Sequence, residues 1–264
     1  MLTDNWDVTE IPLLHAGRVG VGSDGRAGSR AALNWALREC GLRGGDLLIV
    51  RAGVAGTLDS TSAEELSCPA EPGIDLRTIV SSADPVSALV EVSEQADLLV
   101  LGTNGKADLS RSVLGSVGQQ VATRAQCPVV IVPAAEEARP VGSYPVVVGV
   151  SQTQAGRLAL RRAVSEARWR RQPLMLVSAG PLADNPALDD LTEALTAQAP
   201  DIEIQVVRTH ADPAMALTEA GRQAELLVLG CYHSSDRFSA RLGSVTATVL
   251  GQLPCPVLLA GQPS

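Results

Sequence analysis

A chain of 264 residues with 45% apolar side chains and a mean hydropathy of +0.15 is long enough for two ordinary domains and too apolar to stay disordered. Aromatic residues make up only 2%, which removes the stacking platforms that single-stranded nucleic acids use and leaves Val, Leu, Ala and Ile to build the cores. The net charge is −8, with −7 of it in the first 140 residues, so no basic face draws polyanions from a distance.

The opening residues MLTDNWDVTE carry neither a basic n-region nor an apolar h-region, and no run approaches the length of a membrane span. A cytoplasmic protein with no membrane and no nucleic-acid partner is expected. Short β-branched runs then alternate with longer stretches of helical period, the pattern of βαβ units and a parallel sheet. Strands are expected near 18–22, 46–51, 74–80, 97–101 and 128–132, with helices between them. Asp84-Pro85 marks a helix start, since Asp can cap free amides and Pro has no N–H to lose at the first helical position.

After a polar stretch from Ala134 to Tyr144 the pattern begins again, with strands expected near 145–150, 173–178, 202–208, 225–229 and 256–260. A shift of 127 to 128 residues lays Ala83-Asp84-Pro85 on Ala211-Asp212-Pro213, Ala96-Asp97-Leu98-Leu99 on Ala224-Glu225-Leu226-Leu227, and Leu114-Gly115-Ser116-Val117 on Leu242-Gly243-Ser244-Val245. Cys127-Pro128-Val129 falls on Cys255-Pro256-Val257. A period this long makes the unit a domain, so two tandem α/β domains are expected, over 15–134 and 144–262.

Open parallel sheets bind ligands beyond the carboxyl ends of their strands. There, in the first unit, stand Gly102-Thr103-Asn104-Gly105 and, nine residues on, Gly115-Ser116 at a helix start. Glycines admit close approach of backbone to ligand, and a helix N-terminus attracts phosphate. Lys106, the chain's one lysine beside 20 arginines, lies in the same loop and is as readily a solvated surface residue as a phosphate contact.

The spacing Gly-x2-Gly-x9-Gly-Ser resembles the nucleotide-binding pattern of the universal stress protein family. The resemblance extends to Val21-Gly22-Ser23-Asp24-Gly25, Gly28-Ser29-Arg30-Ala31-Ala32-Leu33, Asp84-Pro85, Ala96-Asp97-Leu98-Leu99-Val100 and Cys127-Pro128-Val129, and covers nearly all of 17–133 and 145–260. It implies two Rossmann-like domains of the adenine-nucleotide α-hydrolase type, each a five-stranded parallel sheet in the order 3-2-1-4-5 with helices on both faces. It also implies ATP, compatible with Mg²⁺, as the ligand of a stress-response sensor. Position by position, Gly102, Gly105, Gly115, Ser116 and the Val117 amide would hold phosphates and ribose, Asp24 would lie near the adenosine, and Ala52 would flank the base.

The second unit departs from the pattern: His233 replaces the middle glycine, and Ser151-Gln152 replaces Asp24-Gly25. Weak or absent nucleotide binding is expected there, the alternative being a protonated His233 that donates to a phosphate. Gly20-x-Gly22-x-x-Gly25 also satisfies the dinucleotide fingerprint, so an NADP-dependent oxidoreductase is a rival reading, with Arg51 where an NAD enzyme would carry an acid. A nucleotide-free scaffold is the other.

Neither a P-loop nor a nucleophile elbow is present in the sequence, so no enzyme beyond slow ATP hydrolysis is expected, and no catalytic residue is assigned. Cys40, Cys68, Cys127, Cys231 and Cys255 are read as reduced thiols, and His15, His210 and His233 have no metal-ligand spacing. Each unit ends in an apolar strand, 128–132 and 256–260, placed at a sheet edge by the family's order. These strands are expected to pair as an internal pseudo-dimer, with a homodimer of tandem chains a further possibility.

Overall fold

The computed structural model describes residues 17–53, 73–103, 115–134, 144–231 and 242–261. They fall into two compact units, a first over 17–134 and a second over 144–261. Gly105, Lys106, His233, His15 and Cys68 lie outside the described residues.

In the first unit the elements run β1 (Val19–Gly22), α1 (Ala27–Arg43), β2 (Leu47–Ala52), β3 (Leu76–Ser81), α2 (Pro85–Ser93), β4 (Leu98–Gly102), α3 (Ser116–Arg124) and β5 (Val129–Val132). The strands stand in the order β3-β2-β1-β4-β5, and every pairing is parallel. Val19 pairs with Leu47 on one side and Leu98 on the other.

The runs Leu98 to Leu101 and Val129 to Val132 are buried throughout, as strands covered on both faces must be. A Cβ added at Gly20 or Gly22 would touch Val92 or Leu89 of α2, so α2 covers the even-numbered face of β1. Parallel strands need crossovers of this kind, and helices of 9 and 17 residues supply them.

The second unit repeats the plan with β6 (Val146–Gly149), α4 (Gln154–Arg170), β7 (Leu174–Ala179), α5 (Ala187–Gln198), β8 (Ile204–Thr209), α6 (Pro213–Gly221), β9 (Leu226–Gly230), α7 (Ser244–Gln252) and β10 (Val257–Ala260). Within it the order is β8-β7-β6-β9-β10, again all parallel. Each unit therefore has the doubly wound order 3-2-1-4-5. Helix α1 ends on Gly44 in the left-handed region (φ 66°), whereas α4 ends on Arg171 at φ 53°, a conformation that strains a side chain.

Both Asp-Pro pairs start helices. Asp84 Oδ1 accepts from the Val86 and Ser87 amides at 3.0 and 3.1 Å, and Asp212 Oδ1 accepts from Ala214 and Met215 at 2.9 and 3.1 Å. Hydrogen bonds from Ser87, and then Val86, hold the Asp84 carboxyl below its ordinary range. A depressed folded-state value means that the cap's contribution is present above the ordinary carboxylate range and is lost as pH falls through the folded value. Asp84→Asn keeps the capping oxygen and does not titrate. Its melting temperature is therefore expected to fall less on acidification than that of the unaltered protein, measured by circular dichroism across the acid limb.

Each long helix also buries an ion pair. In α1, Arg43 Nε donates to Glu39 Oε2 at 2.7 Å, and in α4 Glu166 accepts from Arg162 Nε at 2.8 Å and from Arg170. Glu166 is fully buried. Cys40, Cys127, Cys231 and Cys255 are buried too. Burial pushes the Cys40 thiol up to about 12, with Glu39 adding to the effect, and burial alone does the same to Cys231. Both are protonated, unreactive thiols at neutral pH.

Candidate functional site

Where β1, β2 and β4 of the first unit end, the chain opens a cleft of about 250 Å³. Its walls come from four crossovers. Gly22 ends β1, and Ser23 and Asp24 follow it; Arg26, Gly28 and Ser29 are at the start of α1; Val50 and Ala52 are at the end of β2. Pro85 and Leu89 are on α2, Leu101, Gly102 and Thr103 end β4, and Gly115, Val117 and Gly118 open α3. This is the carboxyl edge at which the strand order reverses between β1 and β4.

Close packing of backbone on backbone forms the floor. A Cβ at Gly28 would sit 1.8 Å from the Thr103 carbonyl oxygen, and a Cβ at Gly102 would sit 2.0 Å from the Gly28 carbonyl oxygen. Only glycine lets the start of α1 and the end of β4 come this close. Buried Thr103 ties the rim down, because its Oγ1 accepts from the Ala134 amide at 3.1 Å.

The two helices that begin at the cleft, α1 and α3, have Arg26 and Gly115 at their N-caps, and neither cap makes a side-chain hydrogen bond. Helix α2, by contrast, is capped by Asp84. Uncapped first-turn amides carry the positive end of the helix dipole and favour an anion. Asp24 sits in a tight turn: its Oδ1 accepts from the Arg26 amide at 3.0 Å across Gly25, which takes φ 76°, and its Oδ2 lies 3.6 Å from Arg26 Nη1. Asp24 and Arg26 are the ionisable side chains of the lining, at the mouth, and Leu89, Leu101, Val50 and Ala52 make the deeper wall apolar. The result is an apolar slot with a polar, amide-rich end.

Of the residues singled out from the sequence, Asp24, Ala52, Gly102, Gly115 and Val117 line this one cleft. Ser116 is the first residue of α3, exposed and outside the lining, and Gly105 is outside the described residues. Sequence reasoning missed Arg26, Ser29, Thr103, Pro85, Leu89 and Gly118 as wall residues. The absence of a Ser, Asp or Thr at the start of α1 was the available signal for Arg26. Among the described residues no group of three His, Cys, Asp or Glu is placed to hold a metal ion. No helix among them is long and apolar enough to cross a membrane.

The matching edge of the second unit is built differently. Ser151 stands for Asp24, Thr153 for Arg26, Ala155 for Gly28, Cys231 for Thr103 and Thr246 for Gly118. Thr153 caps α4 by accepting from the Gly156 amide at 3.1 Å, and the Thr246 hydroxyl donates to the Gly230 carbonyl oxygen at 3.3 Å.

Two parallel α/β units, the first with a glycine-floored cleft at its strand switch point, define a doubly wound protein of the Rossmann-like type. The model of the universal stress protein family matches residues 51–133 and 181–261, together more than half of the chain. A universal stress protein of Mycobacterium tuberculosis is 31% identical over 211 residues, covering 72% of this chain and 72% of its own. A second from that organism is 28% identical over 286 aligned positions, covering 91% and 95%. The crystal structure of a universal stress protein from Archaeoglobus fulgidus has the same fold, with a TM-score of 0.68 at 18% identity over 97% of this chain and 99% of that one. A shorter universal stress protein, crystallised in complex with cAMP, is 30% identical over 46% of this chain and 99% of its own, with a TM-score of 0.37. This chain belongs to the universal stress protein family.

Proposed function

We propose that the first unit binds an adenine nucleotide, ATP together with Mg²⁺, in the cleft between β1 and β4, and that the chain works in the cytoplasm as a stress-response sensor rather than as a metabolic enzyme. The observation that carries this reading is the pair of uncapped helix starts, at Arg26 and Gly115, facing one cleft at which neither Gly28 nor Gly102 has room for a Cβ. Phosphates would lie against the α3 amides of Gly115 to Val117, with Gly102 and Gly105 leaving room for them and Ser116 at the helix start. The ribose would face Asp24, and the base would occupy the apolar slot beside Ala52 and Leu89.

The rival dinucleotide reading is disfavoured by two positions. Gly20 is inside β1, paired with Leu48 and Leu99, and so is not in the turn, and Arg51 is not part of the cleft wall. Ligand binding in the first cleft would alter a surface that partner proteins can read, which requires different affinities for two states.

The test is calorimetric titration with Mg-ATP of the intact chain and of Gly115→Val. Gly115 has φ −62° and ψ 163°, a conformation valine adopts readily, so the substitution adds bulk at the cleft without straining the backbone. Saturable heat is expected from the intact chain and none from the variant. No heat from the intact chain removes the nucleotide reading, and equal heat from both moves the site elsewhere.

A further inference from the structure

Arg26 stands where helix physics argues against an arginine. It is the N-cap of α1, a position that favours Ser, Thr, Asp or Asn, and its side chain makes no capping hydrogen bond. A cation there also faces the positive end of the helix dipole. The backbone imposes none of this. Arg26 has φ −89° and ψ 171°; Thr153, its counterpart at the start of α4, has φ −70° and ψ 157° and accepts from the Gly156 amide at 3.1 Å. A threonine would therefore fit at position 26 and hold the helix better.

Nor does a buried partner account for the arginine. Its side chain is 77% exposed, and its ion pair is with Asp24, 47% exposed and 3.6 Å away, a contact that solvent screens. What the position does offer is a place in the wall of the 250 Å³ cleft, where Arg26 is the one cation among the described lining residues. It shares that cavity with the open α3 start at Gly115, Val117 and Gly118. An anion otherwise meets an acidic setting, since the first 140 residues carry a net charge of −7 and the Asp24 carboxylate lies at the mouth itself.

We propose that Arg26 is the residue by which the first cleft selects nucleotides for the number of their phosphates. Its guanidinium neutralises Asp24 at the mouth and pairs with the distal phosphates of a triphosphate, while the α3 amides take the phosphate nearest the ribose. The proposal rests on the nucleotide reading of this cleft and adds to it a preference, ATP over AMP. A guanidinium suits the role, because its planar fork of donors matches phosphate oxygens and its charge persists at neutral pH. The exposure that weakens the Asp24 pair also leaves the fork able to turn toward a ligand.

Calorimetric titration of the full chain with ATP and with AMP, both with Mg²⁺ present, tests this. The intact protein is expected to bind ATP at least about tenfold more tightly than AMP. Arg26→Gln, which keeps much of the length and loses the charge, is expected to reduce that ratio at least about fivefold through a loss of ATP affinity. A side chain that acted only by shaping the cleft would weaken both nucleotides alike. An unchanged ratio in the variant, or equal affinity for ATP and AMP in the intact protein, overturns the assignment to Arg26 and leaves the cleft standing. No heat from the intact chain with either nucleotide removes the reading of the cleft itself, and this proposal with it.

Stability gives the second measurement. Arg26→Thr, which installs the cap used by α4, is expected to unfold without nucleotide at a temperature no lower than the intact protein, followed by circular dichroism. A lower midpoint means that the arginine serves the fold, and it overturns the proposal. Should Arg26→Gln lose its folded spectrum, Arg26→Thr takes its place in the titrations and decides by the same ratio.

Discussion

Replacing Glu166 with alanine is expected to lower the unfolding free energy of the second unit by about 3–5 kcal/mol. The reason lies in what the substitution leaves behind. Glu166 is fully buried and accepts from Arg162 Nε at 2.8 Å and from Arg170, whose side chain is itself 2% exposed. Arg170 has a second carboxylate, Glu225, at 3.5 Å, and Arg162 lies over the Trp169 ring at 5.9 Å.

Removing the carboxylate strands guanidinium charge in a low-dielectric interior, and the desolvation that the pair had offset is no longer offset. A domain has about 5–15 kcal/mol of stability in total, so a loss of this size moves the unfolding midpoint far. Urea titration followed by circular dichroism should show the variant unfolding in an early transition. Glu219→Ala provides the contrast: its pair with Arg222 is 71% and 60% exposed, and the expected change is within about 0.5 kcal/mol. Glu166→Gln should fall between, since it keeps the volume and an acceptor but not the charge. A loss for Glu166→Ala no larger than that for Glu219→Ala would show that the buried guanidinium groups are satisfied without it.

These ion pairs also mark where reading the sequence stops. Glu39 and Arg43, or Glu166 and Arg170, have the spacing of any solvent-facing pair on a helix, and only the covering layers decide that they are buried. The sheet was legible because its signals are local and repeated. Val19 to Val21, Leu98 to Leu101 and Val129 to Val132 are short apolar runs within strands, and they recur in the second unit at a shift of 127 to 128 residues.

The glycine side of the cleft was legible for a related reason: a backbone that must approach something closely has to be glycine, and Gly102 and Gly115 stand out at strand end and helix start. The remainder of the wall was not. Pro85 and Leu89 reach it from a crossover some sixty residues away from Asp24, and their pattern in the sequence is that of ordinary helix core.

Gly102→Ala is expected to cost the first unit about 1–3 kcal/mol and to weaken nucleotide binding at least about tenfold. The added Cβ would lie 2.0 Å from the Gly28 carbonyl oxygen and 2.4 Å from its carbon, which are backbone atoms that no rotamer change can move aside. Helix α1 must therefore draw away from the end of β4, carrying Arg26 and Ser29 with it and widening the cleft they share with Thr103. Gly230→Ala makes the same intrusion in the second unit, with a Cβ 2.4 Å from the Ala155 carbonyl oxygen. It is expected to destabilise that unit comparably and to leave nucleotide affinity unchanged. Thermal unfolding and Mg-ATP titration of the two variants side by side separate packing from binding: both lose stability, and only the variant of the first unit loses ligand. Full affinity in Gly102→Ala would mean that the nucleotide does not depend on the close crossing of α1 over β4, and the cleft would then be the wrong place to look for it.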